Sequence, residues 1–441
     1  MKPTDKQTIR RVLFATLVGT TVEWYDFFLY GVVAGIVFNH LYFPTEDPAI
    51  GTMLAYGTFA AGFLSRPLGG IVFGHFGDKI GRKSMLVLTL SIMGVATFLV
   101  GLVPTYAQIG IAAPILLLVL RILQGLGLGG EWGGSVLMAF EYAPKEKRGL
   151  YASVPQIGLA IGLCLAAGVV GLLSGVLTDE QFLAWGWRVA FLVSFVLVVV
   201  GMYIRLKIAE TPAFAEVKAT GEEAKIPIVD MLKRFPGNVL AGMGARYIDG
   251  VFFNVFGVFS IAYLTQNLHV NRTEALLGVM AAAFLMIFTI PYFGHLSDKV
   301  GRTRCYFWGS LITAASSFPG FWLMNHSGGS MTLIWPAIII PFGFLYASIY
   351  APEAALFAEL FDTKVRYTGI SFVYQVSGIF ASGITPLVAT ALLVAGGGEP
   401  WLVCWYVVFA GIVSALSAAW IGRRQKLELQ PGGVARSSGN I

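Results

Sequence analysis

GHFGDKIGRK, residues 74–83, and GHLSDKVGRT, residues 294–303, are one motif written twice. The second copy starts 220 positions after the first (294 − 74), half the length of a 441-residue chain. A repeat at half-length marks a duplicated unit rather than a solenoid, whose period runs about 20–50 residues. A second pair keeps nearly the same spacing: Glu141 and Arg148 recur as Glu359 and Arg366, both 218 residues on. Each motif copy follows an apolar run and sets charged residues around a glycine, so it reads as a short polar turn between apolar elements.

Those apolar elements fill most of the chain. Hydrophobic residues make up 56% and charged residues only 12%, where a soluble domain carries about 25% charged. A membrane span needs about 20 mostly apolar residues, and twelve such runs are read, as spans 1 to 12: 12–38, 49–73, 84–103, 111–141, 149–176, 184–206, 237–266, 273–294, 304–324, 331–360, 368–396 and 400–422. The first is too long for a signal-peptide core and lacks a small-residue cleavage site, so it is expected to be retained. The charged stretch 207–235 divides the halves, giving bundles over 1–206 and 236–424, a linker over 207–235 and a tail over 425–441.

Charge placement orients this frame. Of 30 Lys and Arg, Arg66, Arg121, Arg188 and Arg246 fall in or at the edge of spans, Arg272 lies in a loop, and the other 25 collect on one side. Lys2, Lys6, Arg10 and Arg11, the clusters at 79–83 and 145–148, the linker and the tail all belong to that side. The positive-inside rule puts it, with both termini, in the cytoplasm. The net charge of +6 therefore reflects topology, and no nucleic-acid partner is expected. Cys164, Cys305 and Cys404 lack metal or redox spacing and read as packing residues.

The 74–83 motif resembles the loop signature between helices 2 and 3 of the major facilitator superfamily. Arg66-Pro67-Leu68-Gly69-Gly70, the run from Arg121 through Gln124 to Gly129–Gly134, and Trp185-Gly186-Trp187-Arg188 together resemble its metabolite:proton symporter family. That family carries shikimate, 2-oxoglutarate, citrate, and proline or betaine. The resemblance covers about residues 10 to 425. It implies an all-α membrane protein with twelve transmembrane helices in two pseudo-symmetric six-helix bundles. It also implies a cytoplasmic gate, carried here to Asp78, Arg82, Glu141 and Arg148 in one half and Asp298, Arg302, Glu359 and Arg366 in the other. Asp78 is expected to face the positive end of helix 11, and Arg82 to pair with Glu141.

Ionisable residues at membrane depth are costly and usually functional. Glu23 and Asp26 stand three apart on span 1, a spacing that shares a helical face. Arg246 and Asp249 repeat that spacing on span 7, each 223 residues later. Both pairs are expected to face a central cavity. The resemblance implies proton coupling through Asp26 and Arg121, with Glu23 as rival carrier. Arg66, Arg121 and Arg246 suit a carboxylate, which arginine grips through two parallel hydrogen bonds. Gln124, Glu131, Gln156, Asp249, Asn254, Tyr374 and Gln375 complete the expected substrate contacts, and Glu353 after Pro352 is left open.

These residues favour proton-coupled uptake of a small organic acid such as shikimate by alternating access, in a bacterial inner membrane and as a monomer. Uptake of a zwitterionic osmolyte of the proline or betaine class is the alternative. His40, His75, His269, His295 and His326 all sit in loops or at span ends. With no triad or metal spacing among them, neither an enzyme nor a cofactor is expected.

Overall fold

The computed structural model describes residues 6–44, 48–220 and 226–428. Lys2, Glu46 and Asp47, five linker residues (221–225) and the tail from 429 lie outside the described residues. The described residues are helical, with no strand among them. Ten helices are long and apolar enough to cross a membrane: Lys6–Val33, Arg82–Val100, Ala112–Tyr142, Lys145–Val176, Asp179–Leu206, Pro236–Gln266, Thr273–Val300, Met331–Ala358, Arg366–Ala395 and Trp401–Leu427. They match spans 1, 3 to 8 and 10 to 12, and are called helices by those numbers below. Helix 2 is Pro48–Ile80, which carries Arg66, Asp78 and Lys79.

Helix 9 is interrupted, running as Arg302–Ala315 and Ser317–Asn325. The interruption has a local cause: Pro319 has no N–H to give the Ala315 carbonyl four residues back, and its ring crowds that carbonyl. The hydroxyls of Ser316 and Ser317 donate to the carbonyls of Thr313 (2.6 Å) and Ala314 (2.7 Å), three residues back, a pattern that competes with the helical ladder. The linker is not bare coil, because Pro212–Thr220 and Pro227–Arg234 are helical. Helix 12 continues past the expected start of the tail.

The repeated motifs end helices 2 and 8 in the same way. Gly81 (φ 128°) and Gly301 (φ 98°) occupy the positive-φ region, where a Cβ is strained and glycine is not. That requirement is one reason the motif keeps glycine at both places. Wide, π-helical turns also recur: Ala34–Phe38 follows helix 1 and Val255–Phe259 lies within helix 7. Others lie at Phe182–Gly186, Ile339–Leu345 and Ile379–Gly383.

The chain divides into two compact units, Met1–Tyr142 with Val154–Glu223, and Ala143–Ser153 with Ala224–Ile441. In the first, helix 4 packs on helices 2, 3 and 1, and helix 1 on helices 5 and 6. An aromatic core of Tyr30, Phe38, Tyr42, Trp187 and Phe191 closes one end. In the second, helix 7 packs on helices 11 and 12, and helix 9 on helices 10 and 12. Residues 143–153, placed in the first bundle by sequence position, group with the second unit and pack on helices 8 and 10.

Candidate functional site

Asp26 of helix 1 is buried, and its two carboxylate oxygens are met by hydroxyls rather than by a cation. Thr97 of helix 3 donates to Oδ2 (2.8 Å) and Ser194 of helix 6 to Oδ1 (2.5 Å). Arg121, expected to couple with Asp26, reaches it through two side chains. Arg121 Nη1 donates to Gln124 Oε1 (3.2 Å), Gln124 Nε2 donates to Thr97 Oγ1 (2.7 Å), and Thr97 donates to Asp26. Every donor in this relay points toward the carboxylate. The reason is geometric, since Gln124 sits three residues after Arg121 on the same face of helix 4 and spans the gap. Both ends of its amide are used here.

The guanidinium of Arg121 lies 4.3 Å from the Tyr30 ring centre, and that of Arg66 lies 4.6 Å and 4.5 Å from Phe27 and Phe63. Such stacking suits Arg better than Lys. Gln156 accepts from the Trp132 indole (2.7 Å).

Glu131, expected as a substrate contact, is held by residues of its own unit. Its carboxylate forms a two-pronged ion pair with Arg205 of helix 6 and also accepts from Thr89 (3.0 Å) and Ser135 (2.9 Å). Those donors occupy both oxygens. Arg205, counted above with the cytoplasmic cations, is 3% exposed and belongs to the interior. Gly19 of helix 1 makes room for it, because a Cβ there meets the guanidinium. Glu23, one turn along helix 1, is buried, and its Oε2 has no hydrogen-bond donor among the described residues.

In the second unit the i, i+3 reading of helix 7 is realised as an ion pair between Arg246 and Asp249. Tyr346 donates to Asp249 Oδ1 (2.5 Å), Arg246 Nε lies 3.5 Å from Glu353 Oε1, and the guanidinium stacks on Tyr374 (4.2 Å). Asn254 turns its amide nitrogen to the Gly250 carbonyl of its own helix (2.8 Å). Gln375, next to Tyr374, is buried.

The motif residues form two clusters. Arg82 pairs with Asp78 (3.2 Å) and Glu141 (3.5 Å), and its guanidinium lies 4.6 Å from the Phe214 ring centre. Arg302 pairs with Asp298 (3.1 Å) and Glu359 (2.5 Å), while Arg366 Nε donates to the Phe361 carbonyl (3.0 Å). Capture of a helix start by an aspartate, expected of Asp78, is found at Asp298, which accepts the amides of Gly149 (2.7 Å) and Leu150 (2.9 Å) just after Arg148. Hydrogen bonds to a charged group contribute about 1.5–3 kcal/mol each. Asp298→Ala is therefore expected to speed amide exchange at Gly149 and Leu150 at least tenfold, read by hydrogen–deuterium exchange; unchanged exchange rules the capture out.

Family models for "Sugar (and other) transporter" and "Major Facilitator Superfamily" match residues 12–232 and 235–437. The shikimate transporter of Escherichia coli K12 is 40% identical over 416 residues, covering 93% of both chains. The proline/betaine transporter of Salmonella typhimurium is 32% identical over 422 residues, covering 94% of this chain and 83% of that one. A solved proton:xylose symporter, XylE, bound to 6-bromo-6-deoxy-D-glucose, shares the fold with a TM-score of 0.76 at 15% identity, covering 95% of this chain and 96% of that one. With both halves matched and relatives similar along nearly its full length, this multi-pass membrane chain belongs to the major facilitator superfamily, a family of transporters and not of enzymes.

Proposed function

We propose that this transporter is a proton-coupled symporter that takes up a small organic acid of the shikimate class across the inner membrane. It works by alternating access, as a monomer with both termini in the cytoplasm, and the two motif clusters serve as its cytoplasmic gate. One observation carries the coupling: Asp26 is the end point of a relay whose donors start at Arg121. When Asp26 takes a proton, its new O–H donates to Thr97, whose own hydrogen turns to the Met93 carbonyl, 2.9 Å away. Arg121 then loses the negative charge at the far end of its relay, and a substrate carboxylate takes that place beside Arg121 and Arg66. The shikimate transporter at 40% identity supports the substrate class.

The zwitterion reading has support of its own in the proline/betaine relative. Charge separates the two. For the same number of protons a zwitterion moves one more positive charge than a monocarboxylate, worth about 2.3 kcal/mol per 100 mV. In proteoliposomes, labelled shikimate is expected to accumulate under an imposed pH gradient and to lose accumulation on adding a protonophore. Accumulation that survives the protonophore overturns proton symport. Betaine uptake driven by the potential, with no shikimate uptake, moves the assignment to the zwitterion.

A further inference from the structure

Resting on the proton-symport reading for its role, we propose that Glu353 is a second proton-carrying carboxylate, set in the second unit and kept available by the Arg246–Asp249 pair. Three ionisable groups share this site, Arg246, Asp249 and Glu353, and all are buried, Glu353 fully. One cation faces two carboxylates, so with both ionised the cluster carries a net negative charge away from water. Two carboxylates in one such site do not both ionise cheaply. A single proton makes the site neutral.

The contacts say where that proton goes. Asp249 holds the Arg246 guanidinium and the Tyr346 hydroxyl, and donors of this kind stabilise the charged form. Glu353 lies 3.5 Å from Arg246 Nε, and neither of its oxygens accepts a hydrogen bond among the described residues. The titratable groups around it are Arg246 and Asp249 from helix 7, Tyr306 from helix 9, Tyr350 from its own helix and, beneath Arg246, Tyr374 from helix 11. The charged groups brought by helix 8 and residues 143–153 gather instead around Glu359, six residues on and about 9 Å along the helix.

The first unit shows why this carboxylate is singled out. Glu131 stands 222 positions before Glu353 but is saturated by Arg205, Thr89 and Ser135. Helix 6 delivers that arginine, whereas in the second unit the arginine comes from helix 7 and is already paired with Asp249. Each unit thus keeps a saturated carboxylate beside an arginine, Glu131 in the first and Asp249 in the second, and among its buried acids a further one with an oxygen lacking a donor, Glu23 and Glu353. The step is a simple transfer: a Glu353 oxygen takes a proton from hydronium, leaving water, and returns it to water on the other side.

Infrared difference spectra of the purified protein between acid and alkaline buffer test the proton itself, without substrate. The carbonyl stretch of a protonated carboxyl is expected in wild type, to disappear in Glu353→Gln and to shift in frequency in Glu353→Asp, with Asp26→Asn removing a different band. Wild-type and Glu353→Gln spectra that superimpose overturn the proposal. Should Glu353→Gln fail to fold, an unshifted band in Glu353→Asp does the same. Proteoliposomes holding a pH-sensitive dye then count protons moved per shikimate, a ratio expected to fall in Glu353→Gln and its pH profile to flatten. An unchanged ratio and profile overturn the coupling role. Wild type that carries shikimate without protons refutes symport, while the spectra still decide whether Glu353 holds a proton.

Discussion

Asp26→Asn is expected to lower shikimate accumulation under a pH gradient of about two units by up to about 100-fold, while exchange of labelled for unlabelled shikimate continues. The magnitude follows from the driving force. Each pH unit supplies about 1.4 kcal/mol per proton, a tenfold concentration ratio, and a carrier that loses the Asp26 proton forfeits that share. Exchange survives because asparagine refills the site. Its amide oxygen accepts from one of the Thr97 and Ser194 hydroxyls, its nitrogen donates to the other, and Thr97 retains the Met93 carbonyl as acceptor. Initial uptake and counterflow measured on one batch of proteoliposomes separate the two effects. Accumulation at the wild-type level moves the coupling to Glu23 or another carboxylate.

The second large effect is structural. Arg205→Met leaves the Glu131 carboxylate with Thr89 and Ser135 alone, in a place where neither residue is more than 3% exposed. Removing one partner of a buried pair costs about 3–5 kcal/mol, whereas replacing both by apolar or neutral groups of similar volume is often neutral. Thermal unfolding in detergent is expected to show Arg205→Met and Glu131→Gln each strongly destabilised and the double variant close to wild type. Gly19→Val is expected to resemble Arg205→Met, since its side chain takes the volume that the guanidinium fills. Additive losses in the double variant remove the pair from the account of stability.

The architecture was legible because its signals lie along the chain. Apolar runs of span length and a motif needing glycine at Gly81 and Gly301 are local constraints, and the half-length offset exposes the duplication. Partnerships between helices were not. Thr97 and Ser194 attract no notice in apolar helices, since such hydroxyls ordinarily bond back to their own helix, as Thr97 also does to Met93. Arg205 was missed for the opposite reason. It stands two residues before Lys207 at the end of an apolar run, where a cation reads as the edge of a span, and only the packing of helices 1, 3, 4 and 6 reveals the carboxylate beside it. The grouping of residues 143–153 was likewise hidden, because the amides that hold Asp298 carry no side-chain signature.

The wide turns after Asp26 and Asp249 act as phase slips. A helix advances its side chains by about 100° per residue, and a π turn fits one additional residue into nearly the same rise. The segment with Glu23 and Asp26 and the segment beyond Ala34–Phe38 can thus each choose which way to face, and Arg246 and Asp249 have the same freedom before Val255–Phe259. A continuous α-helix ties its charged stripe to the stripe beyond it. Here the two are uncoupled, so returning one wide turn to ordinary pitch rotates one segment against the other by roughly a quarter turn, a rotary adjustment inside a single helix that needs no break in the chain's path across the membrane.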